Sequence, residues 1–269
     1  MNSFEQRLLP GVLQACSDAA DAILDVYESD DFAVEAKHDE SPLTRADMAS
    51  HHILVAALNK LTPDIPILSE ESADVDLEQR RDWRRLWVVD PLDGTREFIK
   101  RNGEFTINVA LVVDHAPVLG AIAVPVTRTT YTGIVGQGAH RWHDYKTPEP
   151  IETRRPCATP PVVLGSRSHA NARTRAYFEM LGEHALASRG SALKFCAVAE
   201  GEADFYPRLG PTSEWDTAAG EAIVTAAGGR VWMPGGKPLR YNARETTLNG
   251  DFLVAGDPGA EWPIPPPAD

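Results

Sequence analysis

The chain has 269 residues, 43% hydrophobic and 24% charged, which fits one large domain or two intimately packed ones and is ordinary for a globular protein in water. A formal net charge of −13 argues against a surface groove for a nucleic-acid polymer, and an enzyme this acidic needs local Lys or Arg, or bound metal, to act on an anionic substrate. Cys16, Cys157 and Cys196 are odd in number and far apart, which argues against a disulfide framework or a structural zinc site and fits a reducing cytosol. The N-terminus shows no signal-peptide pattern, and no apolar run approaches the roughly 20 residues of a membrane span, so the expectation is a cytoplasmic protein.

In chain order, apolar residues from Val12 to Tyr27 recur at helical spacing over about 11–29, with Pro10 expected in the first turn and Cys16 as a small buried hydrophobe. A polar, proline-broken segment precedes a second amphipathic helix over Arg45 to Leu61, which Thr44 would cap with Asp47 at its third position. Ile65 to Leu68 predicts a short strand leading into Glu70-Glu71, and 74–85 a surface helix or loop. Leu86-Trp87-Val88-Val89 predicts a buried strand that stops at Asp90, because Pro91 cannot donate to a ladder. A short helix has room after Thr95. Runs over 106–113 and 118–124 form a hairpin through Asp114-His115-Ala116-Pro117, and 129–135 continues the meander. The proline-rich stretch 144–161 is the expected boundary between halves 1–158 and 159–269. Beyond it strands (162–165, 204–206, 252–255) alternate with helices (172–181, 191–200, 216–227), and a stiff proline-rich tail from about 257 is expected to be poorly ordered.

Chemistry concentrates at Asp90-Pro91-Leu92-Asp93-Gly94-Thr95. Two carboxylates this close repel each other unless a cation sits between them, and the Gly94 and Thr95 amides, opening a helix, favour an anion beside that cation. Together these describe a metal-dependent phosphate site. Aspartyl-nucleophile phosphatases carry Asp-x-Asp-Gly-Thr, and here Pro91 stands where the nucleophile would be, so that covalent chemistry is excluded. Asp47, Glu70/Glu71 and Asp216 are further acidic stations at element ends, although a cap explains Asp47 or Asp216 alone. An all-oxygen set without a His or Cys cluster suits Mg²⁺.

Ser69-Glu70-Glu71-Ser72, Trp87 to Thr95 and Trp215-Asp216-Thr217-Ala218-Ala219-Gly220 resemble the inositol monophosphatase superfamily of Mg²⁺-dependent, lithium-sensitive phosphatases. Residues 41–47, 96–106, 166–169 and 193–201 resemble one branch of it, the CysQ-type 3'(2'),5'-bisphosphate nucleotidases. The resemblance runs in order over about 10–255; 137–160 match poorly, and the tail from about Gly256 has no counterpart.

The resemblance implies an α+β fold, a layered α-β-α-β-α sandwich with a mainly antiparallel N-terminal sheet and a smaller C-terminal α/β half, the metals lying at their junction. It implies two to three Mg²⁺ ions: one held by Glu70, Asp90 and the Leu92 carbonyl, a second by Asp90, Asp93 and Asp216, and a weaker third by Glu70 with water. Asp47 and Thr95 would polarise the attacking water, with Glu70 also counted as catalytic. Gly94, Thr95, Ser166, His169, Gly190, Ser191, Lys194, Arg208 and Asp216 would bind substrate. Lys194, one helical turn after Ser191 at an expected helix start, would share its face. The implied reaction turns adenosine 3',5'-bisphosphate into AMP and phosphate, clearing a by-product that inhibits sulfotransfer. The expectation for the whole is a monomer or homodimer, cytoplasmic or loosely attached to the cytoplasmic face of the inner membrane. The alternatives are an inositol or fructose-1,6-bisphosphate phosphatase on the same scaffold, and a non-catalytic metal-dependent nucleotide sensor; the latter predicts loss of Asp47 or Thr95, and both are present.

Overall fold

The computed structural model of the chain describes residues 2–29, 35–36, 42–73, 75–166 and 171–267. Helix α1 (Phe4–Tyr27) begins earlier than its apolar stripe predicts, because Ser3 and Gln6 form a capping box. Pro10 therefore lies inside the helix, where its missing N–H costs one helical hydrogen bond. After a small ladder of β1 (Glu35–Ala36) and β2 (Pro42–Leu43), α2 (Arg45–Leu61) starts as expected at Thr44. Next come β3 (Ile67–Ser69), α3 (Leu77–Arg80), β4 (Arg85–Asp93) and α4 (Thr95–Ile99). The meander continues through β5 (Thr106–Val113), β6 (Ala116–Val124), β7 (Thr129–Ile134), β8 (Gly138–His143) and β9 (Thr147–Ile151). Asp114 and His115, at φ 48° and 68°, make the two-residue turn between β5 and β6.

Among the described residues, β3 to β9 form one seven-stranded sheet in sequence order, antiparallel except for the β3–β4 pair. Within the proline-rich stretch, β9 carries Pro148 and Pro150 and lies at the sheet edge, where a missing N–H is tolerated.

The second half opens with β10 (Val162–Ser166), α5 (Ala172–Met180) and β11 (Ala185–Arg189), followed by α6 (Leu193–Ala199) and β12 (Phe205–Arg208). Then come β13 (Thr212–Ser213), α7 (Glu214–Ala226), β14 (Arg230–Trp232), β15 (Leu248–Asn249) and β16 (Phe252–Ala255). A five-stranded sheet has the order β11-β10-β12-β16-β14, with β10 parallel to both neighbours and the other pairs antiparallel.

The layers follow from the alternation along β4. Trp87 and Val89 pack against α1 and α2 with Val12, Cys16, Ile23 and Leu54, while Leu86 and Val88 face Ala219, Ile223, Phe195 and Phe252 between the two sheets. Each large side chain fully buried in these clusters contributes about 1.5–3 kcal/mol. Helix α7 lies directly on the large sheet, so close that a Cβ on Gly120 would stand 2.3 Å from the Ala219 carbonyl oxygen. Helix α5 covers the outer face of the smaller sheet, where Tyr177 meets Phe205. The result is the expected helix–sheet–helix–sheet–helix order.

The tail corrects an expectation. It is docked: the Trp262 ring stacks on Phe205 at 3.9 Å and 4°, Tyr177 donates to the Pro263 carbonyl (2.6 Å), and Arg173 Nε donates to that of Pro266 (2.9 Å). Aromatic stacking on an apolar sheet face holds a segment whose composition alone suggested disorder.

Candidate functional site

The strand that carries the acidic motif does not stop at Asp90. Asp90 pairs with Asn108 and Asp93 with Thr106, so three steps on β4 oppose two on β5. This is a β-bulge that lodges Pro91 without breaking the strand. The Leu92 N–H donates to Asp90 Oδ1 (3.0 Å) and Ser50 donates to the Pro91 carbonyl (2.7 Å), which pins the bulge from inside and outside. Because Asp90 continues the face of Leu86 and Val88, it points toward α7.

Asp216 comes from the first turn of α7, where its carboxylate accepts the Ser213 N–H (2.8 Å). It meets Asp90 and Asp93, and ligand oxygens of all three lie within 4.8 Å of one another. Glu70, from the single turn after β3, hydrogen-bonds Asp90. Burial pushes Asp90 up, with the Glu70, Asp93 and Asp216 charges adding to it. Burial likewise lifts Asp216 to about 8, reinforced by Asp93, and Asp93 to about 6, opposed by Lys194. Three carboxylates in this setting either hold protons or share a cation. Their oxygen-only donor set and mutual spacing fit a hard divalent ion.

Asp47 is fully buried. One oxygen, Oδ2, accepts the Thr44 N–H (2.8 Å), and the other, Oδ1, faces the Thr95 hydroxyl at 3.3 Å. Asp47 thus caps α2 with one oxygen and faces Thr95 with the other. Thr95 Oγ1 also lies 3.4 Å from the Leu92 carbonyl oxygen. Gly94 caps α4 at φ 92°, and a Cβ there would stand 2.1 Å from Ser191 Oγ, so position 94 requires glycine twice over.

The remaining predicted residues divide. Lys194 is buried with its ammonium donating to the Ser191 carbonyl (2.6 Å) and 5.4 Å from the Tyr206 ring centroid; burial lowers it to about 8 against the pull of Asp93. Arg208, on β12, is half-buried, donates to the Pro211 carbonyl (2.9 Å) and acts electrostatically on both Lys194 and Asp216. Ser191 precedes α6 at φ 46°, not inside it as expected, and its hydroxyl lies 2.9 Å from the Asp93 carbonyl oxygen and 2.7 Å from that of Glu104. The Gly190 N–H donates to Glu104 (2.8 Å). Ser166 ends β10, and His169 lies outside the described residues.

Sequence reasoning overlooked Asn108 and Glu104. Asn108 reaches Asp93 Oδ2 at 3.5 Å, and Glu104 holds the 190–191 turn against the strand end. Their signal was positional: Asn108 faces Asp90 in register, a fact available only once β5 is paired.

The description "Inositol monophosphatase family" matches residues 5–257. The 3'(2'),5'-bisphosphate nucleotidase CysQ of Escherichia coli K12 is 48% identical over 250 residues, 92% of this chain and 99% of that protein. Its namesake in Haemophilus influenzae is 31% identical over 97% of both chains. The crystal structure of CysQ from Bacteroides thetaiotaomicron, described as a bacterial member of the inositol monophosphatase family, superimposes with a TM-score of 0.83 at 42% identity, covering 94% of this chain and 98% of that one. With its acidic cluster at the junction of two sheets, this chain belongs to the inositol monophosphatase family of metal-dependent phosphatases.

Proposed function

We propose that the protein is a Mg²⁺-dependent phosphomonoesterase that removes the 3'-phosphate of adenosine 3',5'-bisphosphate, giving AMP and phosphate. The observation that carries this reading is the convergence of Asp90, Asp93 and Asp216 on one point, with Glu70 against Asp90 and the Lys194 ammonium nearby. The substrate assignment is supported by 48% identity to proteins named for that nucleotide. In this reading Glu70, Asp90, the Leu92 carbonyl, Asp93 and Asp216 hold two to three Mg²⁺ ions. Bound divalent cations of this kind neutralise a transferring phosphoryl group and acidify water.

The chain's own groups supply the rest. Thr95 Oγ1 passes a proton from the attacking water to Asp47 Oδ1, across the 3.3 Å contact, while Asp47 Oδ2 remains tied to Thr44 and keeps the carboxylate from turning. The Gly94 and Thr95 amides, at the first turn of α4, meet the phosphate as charge builds on it. Water attacks directly, since Pro91 occupies the nucleophile position of the covalent phosphatases. Lys194 and Arg208, with Ser166, His169, Gly190 and Ser191, meet the nucleotide and its second phosphate. In this reading residues 1–158 are the metal-binding half, completed by Asp216 from the other side, and 159–269 are the half that supplies most substrate contacts. The same reading makes the enzyme lithium-sensitive and places it in sulfur metabolism.

Phosphate release from adenosine 3',5'-bisphosphate, inositol 1-phosphate and fructose 1,6-bisphosphate, each with Mg²⁺, tests the assignment. The nucleotide is expected to give the highest kcat/KM; a preference for either sugar phosphate would overturn it.

A further inference from the structure

Arg80 carries a charge that the reaction just described does not use. Its guanidinium is fully buried, and each nitrogen has an acceptor. Nε donates to the Val75 carbonyl (3.2 Å), Nη1 to Asn242 Oδ1 (2.7 Å), and Nη2 to the carbonyls of Arg244 (2.8 Å) and Glu245 (2.6 Å). Asn242 returns a bond from Nδ2 to the Arg80 carbonyl (2.8 Å). Its backbone N–H, held at φ 52°, donates to Glu214 Oε2 (2.7 Å). Glu214 is also fully buried, and Arg244 Nη2 lies 3.7 Å from its other oxygen.

Burying such charges is costly, and apolar residues of similar volume often stabilise a core as well or better. What a guanidinium adds is a rigid fork that fixes several acceptors in direction as well as distance. The acceptors of Nη1 and Nη2, on Asn242, Arg244 and Glu245, belong to one loop, and that loop is bonded along α7. Tyr241 donates to Glu221 (2.6 Å), and Asn249 donates to the Ser213 carbonyl (2.8 Å) and to Thr217 (2.9 Å). Glu214 opens α7 two residues before Asp216. On the other side, Arg80 sits on the connection between Glu70 and β4, the strand of Asp90 and Asp93.

We propose that Arg80, through Asn242 and Glu214, is a positioning residue that sets the separation between the Glu70, Asp90 and Asp93 group and Asp216, and thereby tunes metal affinity. The inference rests on the reading of these four carboxylates as metal ligands.

Full-length protein, stripped with chelator, is titrated with Mg²⁺ and followed by calorimetry and by thermal unfolding, without substrate. Arg80→Met is expected to weaken binding about ten- to a hundredfold, the usual effect of losing a partner that orients a ligand. Asn242→Gly removes the side-chain link while glycine tolerates the left-handed backbone, so it carries the test should Arg80→Met not fold. It is expected to weaken binding in the same range, and the double variant no further, since both cut one linkage. Asp216→Asn serves as the ligand control and should weaken binding more. If Asp216→Asn weakens binding and Arg80→Met and Asn242→Gly leave it at the parent value, the positioning role is wrong. If Asp216→Asn itself binds Mg²⁺ like the parent, the ligand assignment fails and the positioning role with it.

Discussion

The two halves of the molecule reach the site by different routes. The seven-stranded half delivers Glu70, Asp90 and Asp93 through neighbouring strands, with β3 and β5 flanking β4 and a bulge aiming the carboxylates. The five-stranded half delivers Lys194, Arg208 and Asp216 from α6, β12 and α7, elements separated in sequence and held together by packing and by the polar network around Glu214. Local pairing makes the first group rigid and contiguous. The second group depends on how the sheets are layered, so perturbations to it should show in substrate and metal affinity before they show in the chemical step.

The largest expected effect breaks the shared point. Asp93→Asn removes one of the three converging carboxylates, and Mg²⁺-dependent phosphate release should fall by more than the roughly hundredfold that losing an outer partner costs. Circular dichroism should remain native; retained full activity would remove Asp93 from the metal site. Next comes the proton path on the first half. Thr95→Val keeps the volume but not the hydroxyl, and kcat should drop about 10²–10⁴-fold with KM little changed in steady-state assays.

Lys194→Met probes the second half. Losing a buried charged donor should cost about 1.5–3 kcal/mol of nucleotide binding, read as a raised KM for the bisphosphate and a much smaller change for a simple phosphomonoester. An equal change for both substrates would contradict the division of labour.

The pH dependence follows from the buried carboxylates. Asp216 rises from its ordinary 3.8 to about 8 in the folded chain. Between those values the folded state holds a proton that the unfolded state has lost, so metal-free stability falls as pH rises. Chelated protein should therefore melt lower at pH 8 than at pH 6, the range spanned by Asp93 and Asp216. The gain in Tm on adding Mg²⁺ should grow over the same interval, because binding displaces protons. Asp216→Asn should flatten the slope in differential scanning calorimetry. The smallest effect lies farthest from the chemistry: Trp262→Ala removes the ring stacked on Phe205 and should cost about 1 kcal/mol in urea unfolding.

The same contrast governs what the sequence discloses. The Thr44–Asp47 cap and the strand–turn–strand of 106–124 are local patterns whose physics is contained in a few residues, and they stand where expected, whereas the strand expected to stop at Asp90 runs on to Asp93. The bulge at Pro91 does not follow from the residues of β4 alone, since it exists only relative to β5. Strand β9 escaped notice because prolines argue against strands except at an edge, and edges are a property of the assembled sheet. The tail looked disordered because its composition is, and only Phe205 and Tyr177 give it somewhere to dock. Arg80 reads as a surface arginine until Asn242, 162 residues away, closes on it.

The central claim is that residues from both halves surround one metal cluster. Crystals soaked in Mn²⁺, whose anomalous scattering marks its position, test it most directly. The account predicts one peak bounded by Asp90, Asp93 and Asp216 and a second between Glu70 and Asp90. A single peak that leaves Asp216 outside its coordination would contradict it.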